Sequence, residues 1–167
     1  MRLLFLAPAL PSPVTGGGAL RMYHMVRFLG ERFPVDLVAP AVQGEDTARR
    51  FLSACCAEIE FVPPAPGPAW RRAVRLGPYE KDPALTLAIR RRLAAGRYGA
   101  VHVEKPAMLP YLPAHLSLPT VLDTFAYGLT GAFRALLNQP GPLVRARNLL
   151  RLLRFAAFDA FCWPATR

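Results

Sequence analysis

Residues 1–40, MRLLFLAPALPSPVTGGGALRMYHMVRFLGERFPVDLVAP, decide the fold. The continuous apolar run Leu3–Ala7 predicts a central parallel strand that is buried on both faces. A loop rich in Pro, Ser, Thr and Gly follows, and the next apolar pattern predicts a helix from about Ala19 to Arg32. The segment Val35–Pro40 is typical of a second strand. This order of elements predicts a βαβ unit with parallel strands.

The remaining sequence continues the same alternation. Asp82 and Pro83 form a helix-start signal, because an N-cap residue precedes a proline at the first helical position. The patterns predict helices at about 45–56, 70–76, 82–95, 131–138 and 143–161, and strands at 58–62, 100–104 and 119–123. The predicted fold class is α/β, a single Rossmann-like domain with a doubly wound parallel sheet. Ligands of such sheets bind at the carboxyl ends of the strands.

The length and composition limit the classes of protein to which this chain can belong. With 167 residues, 53% of them hydrophobic, the chain is long enough for one α/β domain with its own core. Cys55, Cys56 and Cys162 lack zinc-ligand spacing, so neither a disulfide framework nor a metal site is predicted. Pro or Arg interrupts every apolar stretch well short of the about 20 residues that span a bilayer. The apolar start is interpreted as a strand rather than a signal peptide, which predicts a cytoplasmic protein.

The net charge of +10 favours anionic partners. Nucleic acid, phosphorylated substrates and acidic lipid headgroups all meet that description. Nearly all of the basic residues are arginine and proline is abundant, a bias that a GC-rich genome also produces. Because the sequence lacks interleaved aromatic residues and recognisable nucleic-acid motifs, we do not expect nucleic acid to be a partner.

The glycine turn Thr15–Gly18 lies between the first predicted strand and helix. Glycines at this place let the backbone approach a ligand and take a positive φ, and the helix N-terminus behind them favours an anion such as a diphosphate. A plain tight turn is the alternative. The turn is not a dinucleotide fingerprint, because Arg21 occupies the third glycine position and Pro40 stands where the second strand should end in an acid.

Three segments resemble retaining GT-B glycosyltransferases of the large glycosyltransferase 4-like group, which includes sucrose-phosphate synthase-like enzymes and mannosyltransferases. The first is Pro11-x-Pro13-x-Thr15-Gly16-Gly17-Gly18-x-x-Arg21-x-Tyr23-His24-Met25-Val26, followed by Val35–Val38. Val101–Pro106 is similar to the fourth strand of that group, and Pro119–Asp123 is similar to the fifth. The similarity extends from the start of the chain to about Asp159.

This resemblance implies a role for the chain. Enzymes of the group have two Rossmann-like domains with a cleft between them, and the N-terminal domain binds the acceptor. We therefore expect residues 1–167 to be that N-terminal acceptor-binding domain, with the C-terminal nucleotide-sugar domain absent. The resemblance gives Gly17 and Gly18 contact with the diphosphate of the donor. It implies a nucleotide-sugar as substrate, a glycan or lipid-linked acceptor and no other cofactor, while the residues themselves indicate no need for a metal.

Candidate site residues follow the fourth and fifth predicted strands. Glu104 and Asp123 are the candidates for catalysis, and with Tyr127 they are expected to bind the acceptor. A turn cap is the alternative for Asp123, and a salt bridge with Lys105 or a nearby arginine is the alternative for Glu104.

Two neighbouring residues qualify that expectation. His102 lies inside a strand between two valines, which favours a packing role over catalysis. Many members of the resembled group place a histidine after the fifth strand, where this chain has Phe125.

The last predicted helix has a basic face. Arg147, Arg151 and Arg154 recur at i, i+4, i+7 spacing and are the candidates for contact with an acidic membrane. A solvated helix face is the alternative. With a lipid-linked acceptor, the first interpretation predicts a peripheral location on the inner face of the plasma membrane. The alternative to an enzyme is a non-catalytic module that pairs with a separate chain or with the membrane surface.

Overall fold

The computed structural model describes residues 1–66, 81–124, 128–138 and 141–161. The predicted basic helix at 70–76, Phe125 and the candidate Tyr127 lie outside these residues. In the last helix, the side chains of Arg151 and Arg154 are also outside the description.

Strands and helices alternate along the described residues. The strands are β1 (Arg2–Leu6), β2 (Val35–Pro40), β3 (Glu58–Val62), β4 (Tyr98–Glu104) and β5 (Thr120–Asp123). The α-helices are α1 (Gly17–Gly30), α2 (Glu45–Leu52), α3 (Pro83–Ala94), α4 (Gly128–Asn138) and α5 (Pro142–Phe161), and a 3-10 helix covers Pro106–Tyr111.

The five strands form one parallel sheet in the order β3-β2-β1-β4-β5. This arrangement confirms the predicted α/β fold class with a Rossmann-like, doubly wound sheet. Phe5 in the central strand β1 pairs with Leu37 on one side and with His102 on the other. Since all strands are parallel, their carboxyl ends lie along a single edge, called here the carboxyl edge.

Burial follows the position of each strand in the sheet. Leu4, Phe5 and Leu6 of the central strand are completely buried, as the continuous apolar run predicts. On the outermost strand β5, Val121 is 56% exposed. Met22 and Val26 bury one face of α1 against the sheet.

The structure corrects the local geometry of the glycine turn. Helix α1 begins at Gly17 rather than Ala19, and its N-cap Gly16 has φ −42° and ψ 165°. None of Gly16, Gly17 and Gly18 has a positive φ, so the turn does not use the left-handed backbone that glycine permits. Left-handed glycine occurs instead at Gly44, which precedes α2 with φ 90°.

The chain divides into two compact units. The described part of the first is Met1–Pro66 with Lys81–Asp123 and contains the whole sheet. In the second, α4 and α5 pack together, and the buried Asn148 Nδ2 donates a hydrogen bond to the carbonyl oxygen of Ala135 at 3.2 Å. None of the described helices combines the length and the apolar character that crossing a bilayer requires.

An ionic cluster closes the opposite edge of the sheet, where the strands begin. Asp36 is fully buried and accepts hydrogen bonds from Arg2 Nη2 at 2.6 Å, Arg97 Nη2 at 3.0 Å and Tyr98 Oη at 2.8 Å. Glu58 accepts from the same two arginines at 2.9 and 2.8 Å. This amino-edge cluster ties together the first residues of β1, β2, β3 and β4.

The cluster predicts a dependence of stability on acid pH. Hydrogen bonds from Arg97 and Arg92 hold the pKa of Glu58 at about 2, below its ordinary value of 4.5. Because the folded-state pKa is the lower one, the contribution of Glu58 is complete above pH 4.5 and is lost as the pH falls towards about 2. We expect Glu58→Gln to flatten the decline of the urea midpoint in this window. Equal declines in the variant and the parent protein would contradict the assignment.

Candidate functional site

A pocket of about 620 Å³ lies beside the glycine turn, in the sheet-bearing unit. The loop after β1 and the first turn of α1 form one wall, and the loop after β2 with the start of α2 forms the other. A Cβ atom added at Gly16, Gly17 or Gly18 would meet nothing within 4 Å. The backbone of the turn is therefore open to an occupant of this pocket.

The charges around the pocket distinguish its two helix N-termini. The first turn of α1 carries no acidic residue, whereas that of α2 carries Glu45 and Asp46. Both helix dipoles favour an anion, but the two carboxylates oppose one at α2. An anion in this pocket is consequently expected at the N–H groups of Gly17 and Gly18.

Two carboxylates meet at the carboxyl edge of the sheet. Glu104 ends β4, Asp123 ends β5, and the two residues are paired in the register of these strands. The Glu104 side chain is completely buried and that of Asp123 is 16% exposed. The structure thus brings together the two candidates that the sequence analysis selected.

Arg21 holds the two carboxylates together. Its Nη1 donates a hydrogen bond to Glu104 Oε1 at 3.0 Å, and its Nη2 donates one to Asp123 Oδ2. The ion pair is the nearby-arginine alternative that the sequence left open for Glu104. Arg21 lies one turn after Gly17 on α1 and, since helical side chains lean towards the N-terminus, it extends back to the carboxyl edge.

His102 adds a buried imidazole to this group. Its side chain is 8% exposed and its ring stacks on Phe5, with centroids 4.5 Å apart and planes inclined by 9°. The stacking fits the packing role expected from the sequence. Its Nε2 lies 3.6 Å from Glu104 Oε2, and among the described residues neither atom has a hydrogen-bond partner. Buried polar atoms usually have partners, so this pair distinguishes the carboxyl edge from the rest of the core.

The backbone after β4 is strained beside this group. Lys105 has φ 71°, a conformation that residues other than glycine rarely adopt. Its N–H donates to the carbonyl oxygen of Asp123 at 2.8 Å, which fixes the exit of β4 against the end of β5. Such strain occurs preferentially at functional sites.

The membrane candidates are only partly described. Arg147 is exposed on α5. Exposed apolar residues accompany it on the same helix: Leu143, Leu149, Leu150 and Leu153. The helix therefore presents both basic and apolar side chains to its surroundings.

Comparison with protein families, with curated proteins and with solved structures finds no match for this chain.

Proposed function

We propose that the chain is the acceptor-side, Rossmann-like domain of a glycosyltransferase that moves a sugar from a nucleotide-sugar donor to an acceptor. One observation carries this proposal: an open glycine turn beside a pocket and an arginine-clamped carboxylate pair lie along the same edge of one parallel sheet. The turn suits a diphosphate, and the carboxylates suit sugar hydroxyls. Retention of configuration follows only from the resemblance to retaining GT-B enzymes.

The residues take different roles in this proposal. The N–H groups of Gly17 and Gly18 face the donor diphosphate. Asp123, which is partly exposed, accepts a hydrogen bond from an acceptor hydroxyl. Glu104 is fully buried and paired with Arg21, so it acts as a positioning residue that sets the direction of the guanidinium. Arg21 in turn fixes the carboxylate of Asp123.

A lipid-linked acceptor would be met at a membrane. The exposed Arg147 and the exposed leucines of α5 support peripheral attachment to an acidic surface, the guanidinium lying near phosphates and the leucines near acyl chains. This location belongs to the proposal and would place the chain on the cytoplasmic face.

Substituting the glycine turn tests the proposal. We expect UDP and GDP to shift the backbone amide resonances of Gly17 and Gly18, with a dissociation constant in the range of about 1 mM because one wall of a donor site gives only a few contacts. Gly17→Val should weaken binding at least about tenfold, since its side chain enters the space beside the diphosphate. The measurement is a titration followed by two-dimensional NMR.

Gly131→Val is the matched control, because a Cβ atom at Gly131 in α4 also meets nothing within 4 Å. It should bind UDP as the parent protein does. Unchanged Gly17 and Gly18 resonances at about 10 mM nucleotide would reject the diphosphate site and favour the non-catalytic module.

A further inference from the structure

The carboxyl edge holds three side chains that share an ability to bind metal ions. His102, Glu104 and Asp123 each offer one ligand atom, and these atoms lie within 4.8 Å of one another. The three residues come from two neighbouring strands and have no recognisable spacing in the sequence. Two of their atoms, His102 Nε2 and Glu104 Oε2, are buried and lack hydrogen-bond partners among the described residues.

The distance between His102 Nε2 and Glu104 Oε2 is close to the distance between two ligands of one metal ion. At 3.6 Å, Nε2 and Oε2 are too far apart for a hydrogen bond. Two ligands bound tetrahedrally to one zinc-like ion at about 2.1 Å are about 3.4 Å apart, which is close to the observed distance. A shared metal ion would therefore satisfy both buried atoms with little movement. Asp123 is partly exposed and its ligand atom already lies within 4.8 Å of the other two, so a small movement can supply the third ligand while Arg21 stays paired.

Arg21 is compatible with such an ion despite its positive charge. It donates to Glu104 Oε1 and Asp123 Oδ2, whereas Oε2 is the Glu104 oxygen that has no partner in the part of the chain that the structure describes. Hydrogen bonds of this kind orient the carboxylates that bind metals. The carboxylates of Glu104 and Asp123 and the guanidinium of Arg21 together carry one net negative charge. A dication is therefore attracted to this group of side chains, despite the nearby arginine.

We propose that His102 Nε2, Glu104 Oε2 and a carboxylate oxygen of Asp123 bind one divalent first-row transition-metal ion of the zinc and cobalt class. The imidazole ligand favours this class over magnesium and calcium, which prefer oxygen ligands alone. Three protein ligands leave a position for water or for an oxygen of a substrate. The metal site does not depend on the proposed function, because it requires no nucleotide.

Titration with Co²⁺ tests this site in the full chain. Cys55, Cys56 and Cys162 are first replaced by serine, because thiolates would compete for the ion. We expect one ion per chain by calorimetry, with the visible d–d absorption of tetrahedral cobalt and no thiolate charge-transfer band. His102→Gln should lower the affinity for Co²⁺ at least about tenfold, because losing even a residue that only hydrogen-bonds to a metal ligand has an effect of that size. His24→Gln, which removes an exposed histidine elsewhere, should leave the affinity unchanged.

Two further measurements keep the test decisive if His102→Gln fails to fold. Asp123→Asn changes a partly exposed residue and should also weaken Co²⁺ binding at least about tenfold. In the chain without ligand substitutions, Zn²⁺ should shift the ¹⁵N resonance of His102 Nε2. The proposal is overturned if folded variants bind Co²⁺ as tightly as the parent, or if the parent shows no saturable binding and no shift at His102.

Discussion

Gly30→Ala is expected to lower the free energy of unfolding by about 3 kcal/mol, as severe overpacking does. A Cβ atom at Gly30, the last residue of α1, would lie 2.1 Å from the backbone oxygen of Cys55 and 3.0 Å from its carbonyl carbon. These are backbone atoms, so no side-chain rotation relieves the clash. The Cys55 N–H also donates to the carbonyl oxygen of Leu52 at 3.0 Å, which holds the turn after α2 in place. Urea unfolding followed by circular dichroism measures the loss.

Gly18→Ala is the matched control for this prediction. It makes the same substitution in the same helix, at a place where a Cβ atom meets nothing within 4 Å. Alanine favours helix over glycine by up to about 1 kcal/mol, so the control should be neutral or more stable than the parent. A Gly30→Ala protein with the midpoint of the parent would show that α1 and the turn after α2 are farther apart than described.

Gly30 also illustrates what a sequence pattern leaves out. The pattern predicts that this helix runs to about Arg32, whereas the structure ends α1 at Gly30. The pattern cannot predict that the carbonyl group of Cys55 lies against the helix, since that contact depends on the packing of α1 beside the segment after α2. The need for glycine here becomes visible only in the folded chain.

The sequence predicted strands and helices correctly where their bounds depend on neighbouring residues alone, such as a short apolar run or a helix N-cap. The predicted bounds of β2 and β3 agree with the structure, because their apolar runs are short and bounded by turns. The start signal of α3 is confirmed, since the Asp82 carboxylate accepts hydrogen bonds from the N–H groups of Ala84 and Leu85. The 3-10 helix Pro106–Tyr111 was not predicted, because a helix of only six residues has no apolar period to reveal it.

The candidate site was predicted only in part. Glu104 and Asp123 were selected because polar residues at strand ends meet at one edge, and the structure places them together. In the sequence analysis, Arg21 is part of the resembling motif and an obstacle to a dinucleotide fingerprint, but it is not a candidate site residue. Its pairing with both carboxylates requires the direction of a helical side chain relative to β4 and β5, which no spacing along the chain encodes.

The two edges of the sheet differ in a way that bears on function. At the amino edge, the carboxylates of Asp36 and Glu58 accept hydrogen bonds from Arg2 and Arg97. At the carboxyl edge, His102 Nε2 and Glu104 Oε2 are buried without partners among the described residues. Buried polar groups without partners destabilise a fold, so they persist where they serve a ligand. We therefore treat the amino-edge cluster as structural, and this contrast supports the proposal that ligands bind at the carboxyl edge.

The second prediction with a large expected effect on stability concerns Asp36, in the amino-edge cluster. Asp36→Ala should lower the free energy of unfolding by about 3 kcal/mol, the lower end of the range for breaking a buried ion pair from one side. The carboxylate is fully buried, and its loss leaves the Tyr98 hydroxyl and the guanidinium groups of Arg2 and Arg97 without their shared acceptor. The arginines are 28% and 37% exposed and also pair with Glu58, which limits the cost.

Glu31→Ala is the matched control, because it removes a carboxylate from ion pairs on the surface. Glu31 pairs with Arg27 at 3.8 Å and with Arg32 at 3.5 Å, and all three side chains are at least half exposed. Exposed pairs contribute about 0–1 kcal/mol, so its urea midpoint should change little. Salt should reduce the small effect of Glu31→Ala more than that of Asp36→Ala, since solvent ions screen buried charges poorly. Equal losses from the two variants would mean that the amino-edge carboxylate is solvated, and would remove the basis for treating that edge as structural.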